Sequence, residues 1–262
     1  MMRPSKDLES VVRTAFNGRH YVQNVVFRGF SEKKGSLLSP GSSRNLVSVL
    51  QHAGLMQSAG RGWSTILKKT QFDYKAPVKE LDANLSKWFP YAESRCWSTH
   101  QIVDFYHHLP GTFYTFVYID RSVMTQLRDR LEMAFPVSRV IVNPNAASFL
   151  SERKSDANFV IRPITQDDEV KGDKALSLEG ILVDLASEAE LIMDGWDYAE
   201  IVRGAVQGFA INAQAILRRI SRRRFASRNM VALCEILFAE GIENEAVRRF
   251  YLQLKKKFEA LP

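Results

Sequence analysis

Residues 42–67 read SSRNLVSVLQHAGLMQSAGRGWSTIL, and two kinds of period meet inside this stretch. Leu46, Val47, Leu50 and Ala53 recur at helical spacing, which puts an apolar stripe on one face of a helix. Ser42 or Ser43 supplies the side-chain oxygen that caps such a helix, and Gly54 follows the stripe at once as a stop. From Leu55 to Leu67 two apolar arms flank the turn Ala59-Gly60-Arg61-Gly62. Glycines at a tight tip between such arms predict a short β-hairpin.

Outward from this core, SLLSPGSS at 36–43 breaks whatever precedes it. Ser5 to Phe16 reads as a first helix, with Leu8, Val11, Val12 and Ala15 at helical spacing and Asn17-Gly18 as its end. Tyr21 to Phe30 is expected to be a second helix, although Val22, Val25 and Val26 leave a strand open. Helix, helix, helix and hairpin within the first seventy or so residues is the order of a winged helix-turn-helix. Such a module binds DNA because one helix fits the major groove and presents its N-terminal residues to base edges.

On that expectation the groove helix starts near Ser43. Its stripe faces the core and leaves Ser43, Arg44, Asn45, Ser48 and Gln51 outward. Arginine, asparagine and glutamine make the paired hydrogen bonds that read guanine and adenine. Arg61, between two glycines, is placed to reach phosphates or the minor groove, and Lys33, Lys34, Lys68 and Lys69 add phosphate attraction. A polar face of this kind is also what a solvated helix shows, and some winged helices bind protein, so an interaction scaffold stays open.

Charge is unevenly spread over the 262 residues, whose overall net is +7. Residues 1–75 hold 12 Lys or Arg against 4 Asp or Glu, a net of +8. Residues 76–211 hold 13 against 20, and residues 212–262 hold 11 against 5. Basic ends around an acidic middle point to a polyanionic partner. The densest run is Arg218, Arg219, Arg222, Arg223, Arg224 and Arg228; it reads as a solvated helix face, as a second phosphate-contacting surface or as a partner-binding face.

Downstream of a linker at 72–78, helices are expected over 83–91, 99–108 and 121–135, and strands over 113–119, 140–142 and 159–161. From Ser177 every segment has helical period. The expectation is therefore an α+β protein: an N-terminal winged helix-turn-helix over 1–75, then a small α/β domain ending in a C-terminal helical bundle over 76–262. No run of eighteen apolar residues occurs and Met1 to His20 lacks the apolar centre of a signal peptide, so no membrane span and a cytoplasmic setting are expected. Cys96 and Cys234 are too few and too far apart for a disulfide framework or a zinc site.

The segment at 42–67 resembles the N-terminal winged helix of AbiEi-type antitoxins, from bacterial abortive-infection toxin–antitoxin systems. The matching features are Leu50, Gly54 and the run Gly60-Arg61-Gly62-Trp63. SLEGILVDL at 177–185 is similar to that family's leucine-rich motif through Leu182, Val183, Asp184 and Leu185, and INAQAILRRISRRR at 211–224 to its Asn- and Arg-rich helices. The resemblance implies an autorepressor that binds operator DNA and counters a nucleotidyltransferase toxin, without catalysis and without a cofactor or metal. Helix-turn-helix proteins often bind as homodimers.

One catalytic pattern stands against this reading. Asp120 closes a strand, and Glu152-Arg153-Lys154 has the Glu-x-Lys spacing of restriction-type nucleases, which hold Mg²⁺. The polar stretch 150–158 lacks strand alternation, so the Glu and Lys are expected in a loop. Adjacent His107 and His108 make a poor metal pair. Trp88, Trp97 and Phe105-Tyr106 are expected to be core.

Overall fold

The computed structural model describes residues 6–27, 30, 43–67, 72, 78–105, 112–144, 157–164, 174–192, 198–223 and 226–259. They form a mixed α/β protein with two small sheets. The chain divides into two compact units, one of 1–71 with 202–262 and one of 72–201. This division differs from the sequence expectation of 1–75 and 76–262. The C-terminal helices pack with the N-terminal sheet, so the first unit is discontinuous in sequence.

In that first unit, α1 (Lys6–Phe16) leads to β1 (Tyr21–Gln23) and a 3₁₀ turn (Asn24–Phe27). Then come α2 (Ser43–His52), β2 (Gln57–Ser58) and β3 (Trp63–Thr65). Asn17 and Gly18, both at positive φ, end α1. The expected helix over Tyr21–Phe30 is thus a strand and a single tight turn over its first seven residues. Tyr21, Val22 and Gln23 pair antiparallel with Thr65, Ser64 and Trp63, and this ladder outweighs their helical spacing. β2 pairs with the other edge of β3, giving an antiparallel sheet of order β1-β3-β2. Phe16, Phe27, Leu46, Val47, Leu50 and Met56 make the core beneath it.

The second unit contains α3 (Lys79–Trp88), β4 (Ser94–Ser98), a 3₁₀ segment (Thr99–Phe105) and β5 (Phe113–Ile119). After it come a 3₁₀ turn (Arg121–Val123), α4 (Met124–Ala134), β6 (Arg139–Val142), β7 (Ala157–Pro163) and α5 (Leu178–Ile192). The sheet order is β4-β5-β7-β6, with β4 antiparallel to β5 and the other pairs parallel. One sheet face is apolar: Cys96, Val117, Ile119, Phe159 and Ile161 pack on Leu81 and Leu85 of α3 and Leu127 and Leu131 of α4. Trp97 is fully buried and stacks on Phe116 at 4.6 Å, and Phe105 is buried and stacks on Phe72, so both are core as expected. Tyr106 lies outside the described residues.

The chain then continues through α6 (Tyr198–Gly208), α7 (Ala213–Arg223), α8 (Arg228–Ala239) and α9 (Glu245–Glu259). Ser227 caps α8, its Oγ accepting the Met230 N–H at 3.0 Å. Among the described residues no helix is long and apolar enough to cross a membrane. Both cysteines are buried and free, and burial pushes the Cys234 thiol up to about 12.

Candidate nucleic-acid interface

α2 buries Leu46, Val47 and Leu50 of the stripe its sequence announces, whereas Ala53, just past its end, is exposed; Ser48, Val49 and His52 turn to solvent. His52 Nδ1 lies 2.7 Å from the Ser48 carbonyl and 3.3 Å from its hydroxyl, which ties two consecutive turns of the exposed face together. Gln51 is half-buried at the edge of this face. Ser43, Arg44 and Asn45 form the first turn of α2, with side chains outside what is described; Lys33, Lys34, Lys68 and Lys69 lie wholly outside the described residues. Val49 and His52 are outward positions that the choice of polar, base-reading residue types passes over. Their i, i+3 spacing on α2 was the available signal.

The hairpin turn is built tightly. The Ala59 N–H donates to the Trp63 carbonyl and the Trp63 N–H to the Gly60 carbonyl, both at 3.1 Å. Arg61 stands exposed at the tip. Gly60 has φ +99°, and a Cβ there would lie 2.2 Å from Asn212 Oδ1. Only glycine fits that combination of left-handed backbone and close approach. Asn212 Oδ1 also accepts the Ala215 N–H at 3.1 Å, and the Ala213 N–H donates to the Ala59 carbonyl at 3.0 Å. The hairpin tip is therefore seated on the first turn of α7.

The same unit is tied at β1. The Tyr21 N–H donates to the Glu240 carbonyl at 3.1 Å. His20 Nδ1 meets Glu240 Oε2 at 2.5 Å, and Gln207 Nε2 donates to the other carboxylate oxygen at 2.8 Å. These contacts bring both basic ends of the chain into one body. Residues 1–71 and 202–262 together hold 23 Lys or Arg against 8 Asp or Glu, a net of +15, while residues 72–201 hold 13 against 21, a net of −8.

The second unit holds the densest buried charge. Register aligns Arg95, Tyr118 and Arg162 in one row across β4, β5 and β7. Asp184 and Glu188, one turn apart on α5, meet this row. Arg95 Nη2 lies 3.9 Å from Asp184 Oδ2, and Arg162 Nη2 donates to Glu188 Oε2 at 2.8 Å. Arg95 also sits 4.6 Å above the Tyr118 ring. Burial, reinforced by the two carboxylates, pushes the Tyr118 hydroxyl well up. Sequence inspection passes over this row because its members lie on four elements. The available signal was a lone Arg in a strand and a lone Asp among leucines and valines.

Glu188 gives this network a pH dependence. Burial raises its carboxyl above 4.5, and the neighbouring Arg162 offsets this only in part. An acid whose folded value is raised contributes fully below about pH 4.5, and that contribution fades as pH rises through the folded value. Urea unfolding at a series of pH values above 4.5 is thus expected to show wild type losing stability relative to Glu188→Gln. Parallel pH curves for the two proteins would contradict it.

Asp120 has a local structural task. Its Oδ1 accepts the Ser122 N–H at 2.8 Å and hydroxyl at 2.6 Å, and these bonds hold its carboxyl below the usual range. It borders a cleft of about 550 Å³ beside Trp88 and Tyr91. Glu152 and Lys154, the other members of the nuclease pattern, lie outside the described residues, as do His107 and His108. Among the described residues no group of three or more His, Cys, Asp or Glu is placed to hold a metal ion.

No curated protein and no solved structure matches the chain. A family model matches residues 43–240, from the first residue of α2 to the glutamate that pairs with His20, and the chain belongs to that family, a family of unknown function (DUF6577).

Proposed function

We propose that the basic unit is a winged helix that binds double-stranded DNA, and that the protein is a non-catalytic transcriptional regulator of the antitoxin type. The observation that carries this reading is the convergence of both basic ends in a single unit of net +15 around a helix followed by a hairpin. A charge of that size on one compact body attracts the phosphate backbone and speeds encounter with it. The strand order β1-β3-β2, with α2 leading into the β2–β3 hairpin, supports the winged-helix assignment. In this role Ser43, Arg44, Asn45, Ser48 and Gln51 on α2 face base edges, and Arg61 in the hairpin, with Lys68 and Lys69 after it, contacts phosphates. The antitoxin part rests on the sequence resemblance and implies a nucleotidyltransferase toxin as partner.

The test uses the full chain and duplex DNA from upstream of its own gene. Binding measured over a range of salt concentrations is expected to weaken linearly on a log–log plot. Arg61→Ala should lower the salt slope by about 1 and weaken all sequences alike, while Asn45→Ala should narrow the gap between upstream and random DNA. Absence of any salt-dependent affinity would sink the DNA assignment. Co-expression with a nucleotidyltransferase encoded beside the gene tests the antitoxin part, with rescue of growth as the expected result.

A further inference from the structure

The geometry of the first unit points to α7 as a second phosphate-contacting surface, continuous with the hairpin and acting on the same DNA duplex. This inference rests on the DNA reading above and extends it to a surface outside the helix-and-hairpin module.

Three observations carry it. First, α7 begins at the hairpin: Ala213 N–H bonds the Ala59 carbonyl, and Asn212, which caps α7, occupies the space beside Gly60. Gly60 is the covalent neighbour of the exposed Arg61. Second, α7 is sharply two-sided. Ala213, Ile216, Leu217 and Ile220 are buried, whereas Arg218 is exposed, Arg219 and Arg222 are half-exposed, and no acidic residue occurs on the helix. Third, the second basic segment, 202–262, contributes 12 Lys or Arg against 5 Asp or Glu to the unit.

A rise of about 1.5 Å per residue places Arg218 to Arg223 roughly 8–15 Å along α7 from the hairpin tip. One turn of duplex spans about 34 Å, which is longer than this separation, so a single turn is long enough to meet both Arg61 and these arginines. Arginine suits the task, because its planar fork makes bidentate bonds to phosphate. Such contacts carry no base information. They lengthen the footprint and add to affinity on every sequence.

The test compares wild type, Arg61→Ala, Arg218→Gln/Arg222→Gln and Arg218→Lys/Arg222→Lys as full chains on one duplex. Glutamine and lysine keep helix propensity, and thermal melting checks that the unit stays folded. The expected result is a salt slope lower by about 2 in the glutamine double variant, with equal weakening on upstream and random DNA, and recovery in the lysine variant. Combining it with Arg61→Ala should lower the slope by about 3. If the glutamine pair destabilises the unit, Arg218→Gln alone at the exposed position should still lower the slope by about 1. A slope unchanged in a folded variant whose parent binds DNA overturns the inference and leaves the DNA reading standing. The same unchanged slope with loss of antitoxin activity assigns the face to a protein partner. Wild type without salt-dependent binding overturns both readings together.

Discussion

Replacing Asp184 by alanine is expected to destabilise the 72–201 unit by about 3–5 kcal/mol. Asp184 is 1% exposed and Arg95 is 4% exposed, so neither charge is screened by water. Removing the carboxylate takes away a counter-charge 3.9 Å from a guanidinium that stays in the interior beside the Tyr118 ring. The guanidinium then carries an uncompensated desolvation cost. Asp184→Asn keeps the shape and a hydrogen-bond acceptor, so its loss should be smaller. The double change Arg95→Met/Asp184→Leu should recover much of the stability, because an apolar pair of similar volume does not carry the cost of burying ions. Hydrogen exchange across β4, β5 and α5, with denaturant titration for the magnitude, makes the check. A loss under about 1 kcal/mol for Asp184→Ala would show that the buried pair is not what holds α5 on the sheet.

That network also shows where reading the sequence stops. The stripe Leu46, Val47, Leu50 and the run FYTFVYI announce α2 and β5 through local period alone, because their burial repeats along one element. SRCWS at 94–98 does not announce β4. It carries polar residues at four of five positions if tryptophan's ring nitrogen is counted, yet all five are buried. Cys96 faces the apolar core, while Arg95 is met on the other face by Asp184 of α5 and by the Tyr118 ring. No window around residue 95 contains that information. The same holds for the expected helix at Tyr21–Phe30. Its first three residues form a strand because Trp63 to Thr65 offer a ladder, and the choice is made by a partner forty residues away in sequence. For the candidate interface, α2 and the Gly-Arg-Gly tip were legible. The seat of that tip on Asn212 was not, because the φ of Gly60 explains the glycine equally well as an ordinary turn residue.

Tyr21 decides whether the two ends of the chain are one folding unit. Tyr21→Ala is expected to cost about 3–5 kcal/mol through the lost ring alone, since the side chain is fully buried. The ring is only part of its contribution. The hydroxyl lies 2.8 Å from the Phe209 carbonyl and 3.2 Å from the Val206 carbonyl, donating to this pair, and accepts the Ile211 N–H at 2.9 Å. It therefore satisfies the backbone where α6 ends and the chain turns toward α7. Tyr21→Phe keeps the ring and removes these hydroxyl bonds, while the Ile211 N–H keeps its 3.0 Å bond to the Phe209 carbonyl, so the cost should be about 1 kcal/mol. The decisive observation is where protection is lost. If residues 1–71 and 202–262 unfold together, Tyr21→Phe in β1 should raise hydrogen exchange in α7 and α8 as much as in β3. The hairpin tip would loosen with them, because its seat on Asn212 belongs to the same body. Exchange raised only within residues 6–67 would mean that the N-terminal sheet opens by itself and that the C-terminal helices stand without it. On the DNA reading proposed above, binding gives a second readout with its own signature. A hairpin freed from α7 no longer holds Arg61 and the α7 arginines along one backbone, so Tyr21→Phe should weaken binding and lower the salt slope toward that of the Arg218→Gln/Arg222→Gln variant.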